Sequence, residues 1–260
     1  VYTWEFSETE VNNLRRRCPG QECPVRIYVE TTIDGEVYSS YKDVTFTLVS
    51  EDVWPNVIEW YAYPHNPTWL ADGFKNLFIQ GKSKAGIFVN AEGQYGATIA
   101  SCYVTMEGET YEGEEFCTDV IKGSGDITIT VRVEDTRGFY TEKTIDIAVL
   151  SYSKPLVVPV GEETAILCYR SDGNGKRVGN STSLWIKAAV SYHDVGGENA
   201  CTLQWRWKLA SDPWSDDHTW VDLVTFEEGT NTYDKMVGGE FDRKVSYTVQ
   251  LRAIDTIGEQ

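Results

Sequence analysis

One strand–turn–strand phrase recurs along the chain and constrains its fold more than any other feature. Residues 127–155 read ITITVRVEDTRGFYTEKTIDIAVLSYSKP: an alternating apolar and polar run, a turn, a second run, then Pro155. Residues 25–55, VRIYVETTIDGEVYSSYKDVTFTLVSEDVWP, follow the same plan with a turn at Asp34-Gly35 and a stop at Pro55. Residues 245–259, VSYTVQLRAIDTIGE, match the first half of the unit. Period-two alternation, as at Ile127, Ile129, Val131 and Val133, turns one side of each run toward a core and the other toward water, the pattern of a half-buried strand. The turns carry their own chemistry. Asp135 and Asp255 stand first, where a carboxylate accepts backbone N–H bonds, and Gly138 and Gly258 stand last, where positive φ costs little. Each of the three Asp-to-Gly turns is expected to close a hairpin and mark a module.

Aromatic usage points the same way. Nine Trp, 15 Tyr and 9 Phe against 2 Met favour pleated sheet over helix, so the expected class is all-β. Ser7 to Arg17 is the one stretch with helical character: Ser7 with Glu10 three residues on fits a capping box, yet Val11 and Leu14 are its only aliphatic residues. A surface helix and an irregular loop both fit it.

Pro55 and Pro155 follow second strands, where a residue without an N–H ends a ladder. Boundaries there divide the chain into 1–53, the C-terminal part of a β module; 54–153, a complete module; and 154–260, a third module lacking its last strand. About 100 residues is the size of an immunoglobulin-like sandwich, so the expectation is serial immunoglobulin-like β-sandwich domains, the outer ones incomplete. A sheet edge left bare after Gly258 would be a liability, and Val1 to Phe6 shows neither an initiator Met nor a basic region followed by an apolar stretch. The chain therefore reads as a piece of something longer.

Charge excludes one class of partner. Lys and Arg number 23 against 40 Asp and Glu, a net −17, and so acidic a chain repels phosphate backbones. Nucleic acid is not expected. No apolar run approaches the ~20 residues of a membrane-spanning helix, so membrane insertion is not expected either.

The middle module carries phrases that resemble a known family: Phe78 to Lys84 (FIQGKSK), Tyr95 to Ile99 (YGATI), Tyr111-Glu112-Gly113, the Val133 to Gly138 turn, and Val149 to Pro155 (VLSYSKP). In that order they resemble the immunoglobulin-like modules of siphophage tail proteins. Trp4 and residues 24–48 are similar to the end of a preceding module, and Tyr169-Arg170 with Gly173 to the start of the next. The resemblance implies a non-enzymatic virion component at the tail tip, baseplate or fibre, acting as a modular spacer or as a carrier for host attachment. It implies contacts with other tail proteins and homo-oligomerisation in the virion. Six cysteines, and the Cys18-Pro19-Gly20-Gln21-Glu22-Cys23 insertion, depart from that pattern for a particle assembled in a reducing cytoplasm.

A hairpin of Thr98–Met106 with Thr110–Ile121, centred between Glu109 and Thr110, would set Cys102 opposite Cys117. Cys18 with Cys23 would close a tight loop, and Cys168 with Cys201 would link two strands. The competing reading makes all six small buried hydrophobes. A zinc site needs four close ligands, and the spacing of the cysteines with His65, His193 and His218 does not supply them; no metal or cofactor is expected. None of the histidines stands in a nucleophile phrase, so no catalytic residue is assigned. Glu107, Glu109, Glu112, Glu114 and Glu115 read as a solvated hairpin tip, with weak calcium binding the sharper alternative; Asp172 with Asn174 reads as a turn.

Trp205, Trp207 and Leu203 share a sheet face by parity and read as core. Trp214 and Trp220, in a polar loop, are the candidates for contact with host cell-surface glycan or a partner, which frames the alternative function, a carbohydrate-binding adhesin. Trp60, Tyr61, Tyr63 and Trp69, around Pro64 and Pro67, read as a module junction.

Overall fold

The computed structural model describes residues 5–49, 51–227, 231–238 and 240–258; Trp4 lies outside them. The described chain is mostly β. It begins with α1 (Glu8–Arg17), followed by β1 (Glu22–Ile33), β2 (Glu36–Thr47), β3 (Asn56–His65), β4 (Phe78–Ile79), β5 (Lys84–Glu92), β6 (Ile99–Met106), β7 (Glu109–Glu112), β8 (Glu115–Val120) and β9 (Gly125–Asp135). It continues through β10 (Tyr140–Leu150), β11 (Leu156–Val158), β12 (Leu167–Ser171), β13 (Ser183–Ser191), β14 (Cys201–Leu209), β15 (Val221–Phe226), β16 (Thr232–Val237) and β17 (Tyr247–Asp255). Two compact units form: the described residues up to His65 with Lys84–Ala148, and Asn66–Ser83 with those from Val149 onward.

The first unit opens on the stretch whose structure the sequence left open, and it is a helix. The Ser7 hydroxyl accepts from the Glu10 N–H at 3.4 Å while the Glu10 carboxylate accepts from the Ser7 N–H at 2.8 Å, so two orphan donors are satisfied reciprocally. Arg15, Arg16 and Arg17 occupy the last turn, where cations complement the helix dipole. Strands β10-β9-β6-β7 form one sheet of this unit and β3-β5-β8 another. Both bury alternate residues: Ala85, Ile87 and Val89 on β5, Val104 and Met106 on β6, and Ile129, Val131 and Val133 on β9. This alternation gives each sheet one face for a core and one for solvent. Strands β1 and β2 form a two-stranded sheet of their own.

The β9–β10 turn is the structural centre of this unit. As its position in the turn predicts, the Asp135 carboxylate accepts from the backbone N–H groups of Arg137 (2.8 Å) and Phe139 (3.1 Å). It also receives the Arg137 guanidinium, at 2.9 Å and 3.1 Å, with both side chains nearly inaccessible. The remaining guanidinium donors reach the carbonyls of Arg15 at the end of α1 (3.1 Å), Val53 (2.8 Å) and Gln94 (3.1 Å). One arginine thus closes backbone acceptors in three segments distant in sequence.

The β6–β7 hairpin is centred between Glu107 and Gly108, since Val104 pairs with Tyr111 and Thr105 with Thr110. The centre read from the sequence, between Glu109 and Thr110, is displaced by two residues. Glu107 at φ 51° and Gly108 at φ 82° supply the left-handed pair that a two-residue hairpin loop needs. The Glu107 carboxylate then accepts from the backbone N–H groups of Lys122 and Gly123. That glutamate clamps a loop.

In the second unit, β11-β13-β12 with β16 on β13 form one sheet and β15-β14-β17 another. Leu184, Ile186, Ala188 and Val190 of β13 share a single apolar core with Cys201, Leu203 and Trp205 of β14, Phe226, Phe241 and Ala253. Leu70, Phe74, Ile79, Val195 and Ile257 make a smaller core, to which β4 adds parallel pairing with Val149 and Leu150 of β10. The turn after β17 closes in the same way, the Gly258 N–H bonding the Asp255 carbonyl (3.0 Å), and the buried Asp255 carboxylate accepts from the Tyr152 hydroxyl (2.9 Å) and from Asn199 Nδ2 (3.2 Å).

Removing one partner of a buried ion pair leaves the other charge uncompensated, at a cost of about 3–5 kcal/mol. Asp135→Ala is therefore expected to lower the urea-unfolding free energy of the first unit by that amount. Asp135→Asn, which keeps an acceptor for the turn N–H groups, is expected to cost less, and equal losses for the two would refute the charge argument.

Candidate functional site

Two surfaces carry chemistry beyond folding: a cation–aromatic face in the second unit and the β1–β2 hairpin in the first. Parity builds the former. Along β14, Cys201, Leu203 and Trp205 turn inward, which leaves Gln204, Arg206 and Lys208 on the other side of the strand. Register sets Gln204 opposite Asp222 of β15 and Arg252 of β17, and Arg206 opposite Gln250. Gln204 donates to the Asp222 carboxylate (2.6 Å) and accepts from Arg252 Nε (2.7 Å), while Arg206 Nε donates to Gln250 (2.8 Å).

Trp214 and Trp220, from the loop between β14 and β15, complete this face. Arg206 lies 4.4 Å from the Trp214 ring and 4.5 Å from the Trp220 ring, Arg252 lies 4.3 Å from Trp220, and the Lys208 ammonium lies 5.3 Å from Trp214. Three cations and two indoles alternate as a ladder. Burial together with the neighbouring Arg206 charge lowers the pKa of Arg252; the indole faces offset part of that repulsion. Lys208 is buried, its ammonium donating to the Leu209 and Asp212 carbonyls. Both tryptophans named from the sequence as contact candidates are half-buried and stacked on cations. Trp205 is core, as parity predicts, whereas Trp207 stays 43% exposed with its edge against Phe241 and Tyr247.

The β1–β2 hairpin is the second surface. Its twelve-residue strands pair from Glu22–Thr47 to Ile33–Glu36 around an Asp34-Gly35 loop, with Asp34 at φ 53° and Gly35 at φ 86°. That is a two-residue loop of the kind matched to strand twist, unlike the four-residue turns at Asp135 and Asp255. Each strand spans about 40 Å. The root is anchored: the Leu48 N–H bonds to the Gln21 carbonyl (2.9 Å), the Gln21 side chain donates to the Gly138 carbonyl (3.0 Å), and Phe46 packs edge-on against Phe6 at 5.4 Å. Beyond the root, Ile27, Val29, Ile33 and Tyr38 are exposed on the side that carries Phe46. The opposite side carries Arg26, bonded to Asp43 (2.6 and 2.9 Å) and lying over Tyr41, with Tyr28 beside it.

The cysteines do not follow the pairings read from the sequence in every case. All six are free thiols. Cys18 and Cys23 are both buried with their thiols in contact. Cys102 lies on β6, which pairs with β7 and β9, whereas Cys117 lies on β8, which pairs with β5, because the hairpin centre falls at Glu107-Gly108. Cys168 on β12 and Cys201 on β14 belong to different sheets.

A cleft of about 750 Å³ in the second unit is lined by Val158, Val190, Ser191, Tyr192 and His193; the buried Nδ1 of His193 meets no hydrogen-bond partner among the described residues. His218 caps a local turn, its Nδ1 accepting from the Ser215 N–H at 3.1 Å, and Asp172 folds back onto the N–H groups of Asn174 and Lys176. Tyr61 stacks on Phe88 at 5.2 Å, and the Tyr63 ring covers Gly86, where a Cβ would meet it at 2.3 Å. Among the described residues, no three His, Cys, Asp or Glu side chains are grouped so as to hold a metal ion.

No protein-family model matches this chain, and no curated protein matches it. A solved structure described as "Structural basis for the promiscuous specificity of the carbohydrate-binding modules from the beta-sandwich super family" is similar over 81% of this chain and 95% of its own, at 11% identity and a TM-score of 0.28. So loose a likeness carries no argument about this chain.

Two outcomes are expected. Trp220→Ala, which frees Arg206 and Arg252 to repel one another without the indole between them, is expected to cost about 1–3 kcal/mol in denaturant unfolding; no loss would show that the ladder is incidental. Burial raises the pKa of the Cys102 and Cys201 thiols to about 11, above the ordinary value of about 8.5. The folded protein keeps protons that the unfolded chain releases, so stability is full below about pH 8.5 and falls as pH climbs toward 11. Urea midpoints across that range are expected to drop more steeply for the wild type than for Cys102→Ala/Cys201→Ala.

Proposed function

We propose that this chain is a non-enzymatic structural protein of a phage tail, at the tip, baseplate or fibre, built from serial immunoglobulin-like β-sandwich modules and serving as spacer or carrier for host attachment. The observation that carries the structural half of this reading is the hairpin: an anchored, extended ribbon whose exposed apolar side chains form no core of their own. An isolated two-stranded sheet is marginal in water, and apolar surface displayed along a ribbon marks a contact with other protein. The tail assignment rests on the ordered phrases from Phe78 to Pro155 and on the Asp-to-Gly turns. The two compact units would then be successive beads of a rod, soluble through excess negative charge.

The carbohydrate-binding alternative asks the indole faces of Trp214 and Trp220 to accept a sugar ring. Arg206, Arg252 and Lys208 already lie on those rings, so the reading as an assembly component is the better supported. Antibodies raised against the purified chain are expected to decorate tails of the phage that encodes it in negatively stained virions. Tails left bare, together with glycan-array binding that Trp214→Ala abolishes, would overturn the proposal in favour of the adhesin.

A further inference from the structure

Strand register sorts the arm's side chains into two faces. On one lie Cys23, Val25, Ile27, Val29, Thr31 and Ile33 of β1, paired with Phe46, Val44, Lys42, Ser40, Tyr38 and Glu36 of β2. The other alternates Arg26, Tyr28, Glu30 and Thr32 with Asp43, Tyr41, Ser39 and Val37; Arg26 pairs with Asp43, while Tyr28, Tyr41 and Val37 are exposed. The first face carries five aliphatic residues, Val25, Ile27, Val29, Ile33 and Val44, against Val37 alone on the other, and is the one built to be covered. At the root it is: Cys23 is buried and Phe46 meets Phe6. Outward from Ile27 it is open, with Val29 at 63% exposure and Tyr38 at 57%.

That open stretch carries two charges, Lys42 paired with Ile27 and Glu36 paired with Ile33 at the tip. They have opposite sign and stand six residue pairs apart, about 20 Å. A two-fold axis lying along the face, across the strands at the level of the Glu30–Ser39 pair midway between them, lays a second arm antiparallel on the first. Lys42 of each copy then meets Glu36 of the other, and Val29, Thr31, Tyr38 and Ser40 fill the centre.

We infer that the β1–β2 arm is a homodimer contact, packed face to face with the arm of a second copy across this axis. Self-complementarity is what an isologous interface requires, and opposite charges at the two ends of the open stretch supply it, since each meets its complement on the second copy. The open stretch of the face, about 20 Å by 10 Å, presents about 200 Å², so the pair buries about 400 Å², a weak contact that only many copies in one particle reinforce. The inference deepens the assembly reading and rests on it for the high local copy number.

Sedimentation equilibrium of the full chain from micromolar to millimolar concentration tests it. Self-association to a dimer is expected, weakened roughly tenfold by Lys42→Glu or Glu36→Lys alone, since two attractive pairs become repulsive, and restored in the double exchange. Val29→Lys is expected to abolish it, with thermal unfolding unchanged at concentrations where the wild type is monomeric, because the site is exposed there. A monomer throughout, single exchanges without effect, or a double exchange that fails to restore association would each overturn the arm–arm contact. Binding of the monomer to anionic or neutral vesicles through the same residues would overturn it in favour of a lipid surface. Decorated tails combined with a strictly monomeric chain would leave the assembly reading standing while refuting the second copy as the occupant.

Discussion

The first unit depends on a charge held where a charge is expensive. Asp135 and Arg137 sit two residues apart in a hairpin turn, out of water, and each would be costly without the other. Their pairing works because nothing around them is left over. The carboxylate is filled by two turn N–H groups and the guanidinium, and the guanidinium's other donors reach carbonyls at the end of α1, near Trp54 and in the loop after β5. Irregular segments are where backbone acceptors go unpaired. One rigid five-donor fork satisfies three of them, so a local turn becomes the clamp for loops that are distant in sequence. In the second unit the corresponding turn brings a hydroxyl and an amide, those of Tyr152 and Asn199, onto the Asp255 carboxylate.

Cations also order the exposed side of β14. Arg206, Lys208 and Arg252 converge on one face of a strongly acidic chain, and carboxylates alone do not hold them there. Flat indole faces do, by lying between like charges and supplying an attraction that needs no proton or counter-ion. The cost falls on the loop that carries Trp214 and Trp220, which gives up its freedom to the sheet. This is why two tryptophans in a run as polar as DPWSDDHTW end half-buried.

The strands and the Asp-centred turns were legible in the sequence because both are local: alternation needs only neighbours two apart, and a turn needs four residues. So was the choice of Trp205 for the core. What could not be read is what depends on partners far along the chain. Nothing near Arg137 announces that its donors end on Arg15, Val53 and Gln94. The β6–β7 register slipped in the reading because Glu107-Gly108 is a less familiar left-handed pair than Asn-Gly or Asp-Gly, and with it went the case for Cys102 facing Cys117. Arg206 and Lys208 of β14 follow the same parity rule in reverse, but nothing in their spacing shows that two loop indoles will lie on their faces. The passage of residues 66–83 into the second unit left no local mark, since a two-residue strand such as β4 has no periodicity to detect.

The arm shows how one pattern can serve two ends. In β9 and β14, alternation ends in a buried face, Ile129, Val131 and Val133 in one and Cys201, Leu203 and Trp205 in the other, the latter sharing a core with β13 of a second sheet. In β1 and β2 the same alternation runs past the last residue of the unit that could cover it, while a bidentate Arg26–Asp43 pair and a tight loop keep the ribbon paired. A hairpin selected only for solubility would carry charges on both faces and along its edges. This one keeps its Arg26–Asp43 pair on one face, beside Tyr28, Tyr41 and Val37, and most of its aliphatic residues on the other, with just two opposite charges, Lys42 and Glu36, among them. A ribbon so sorted gains most of its stability when something lies on it, which makes its folding and its association two parts of the same equilibrium.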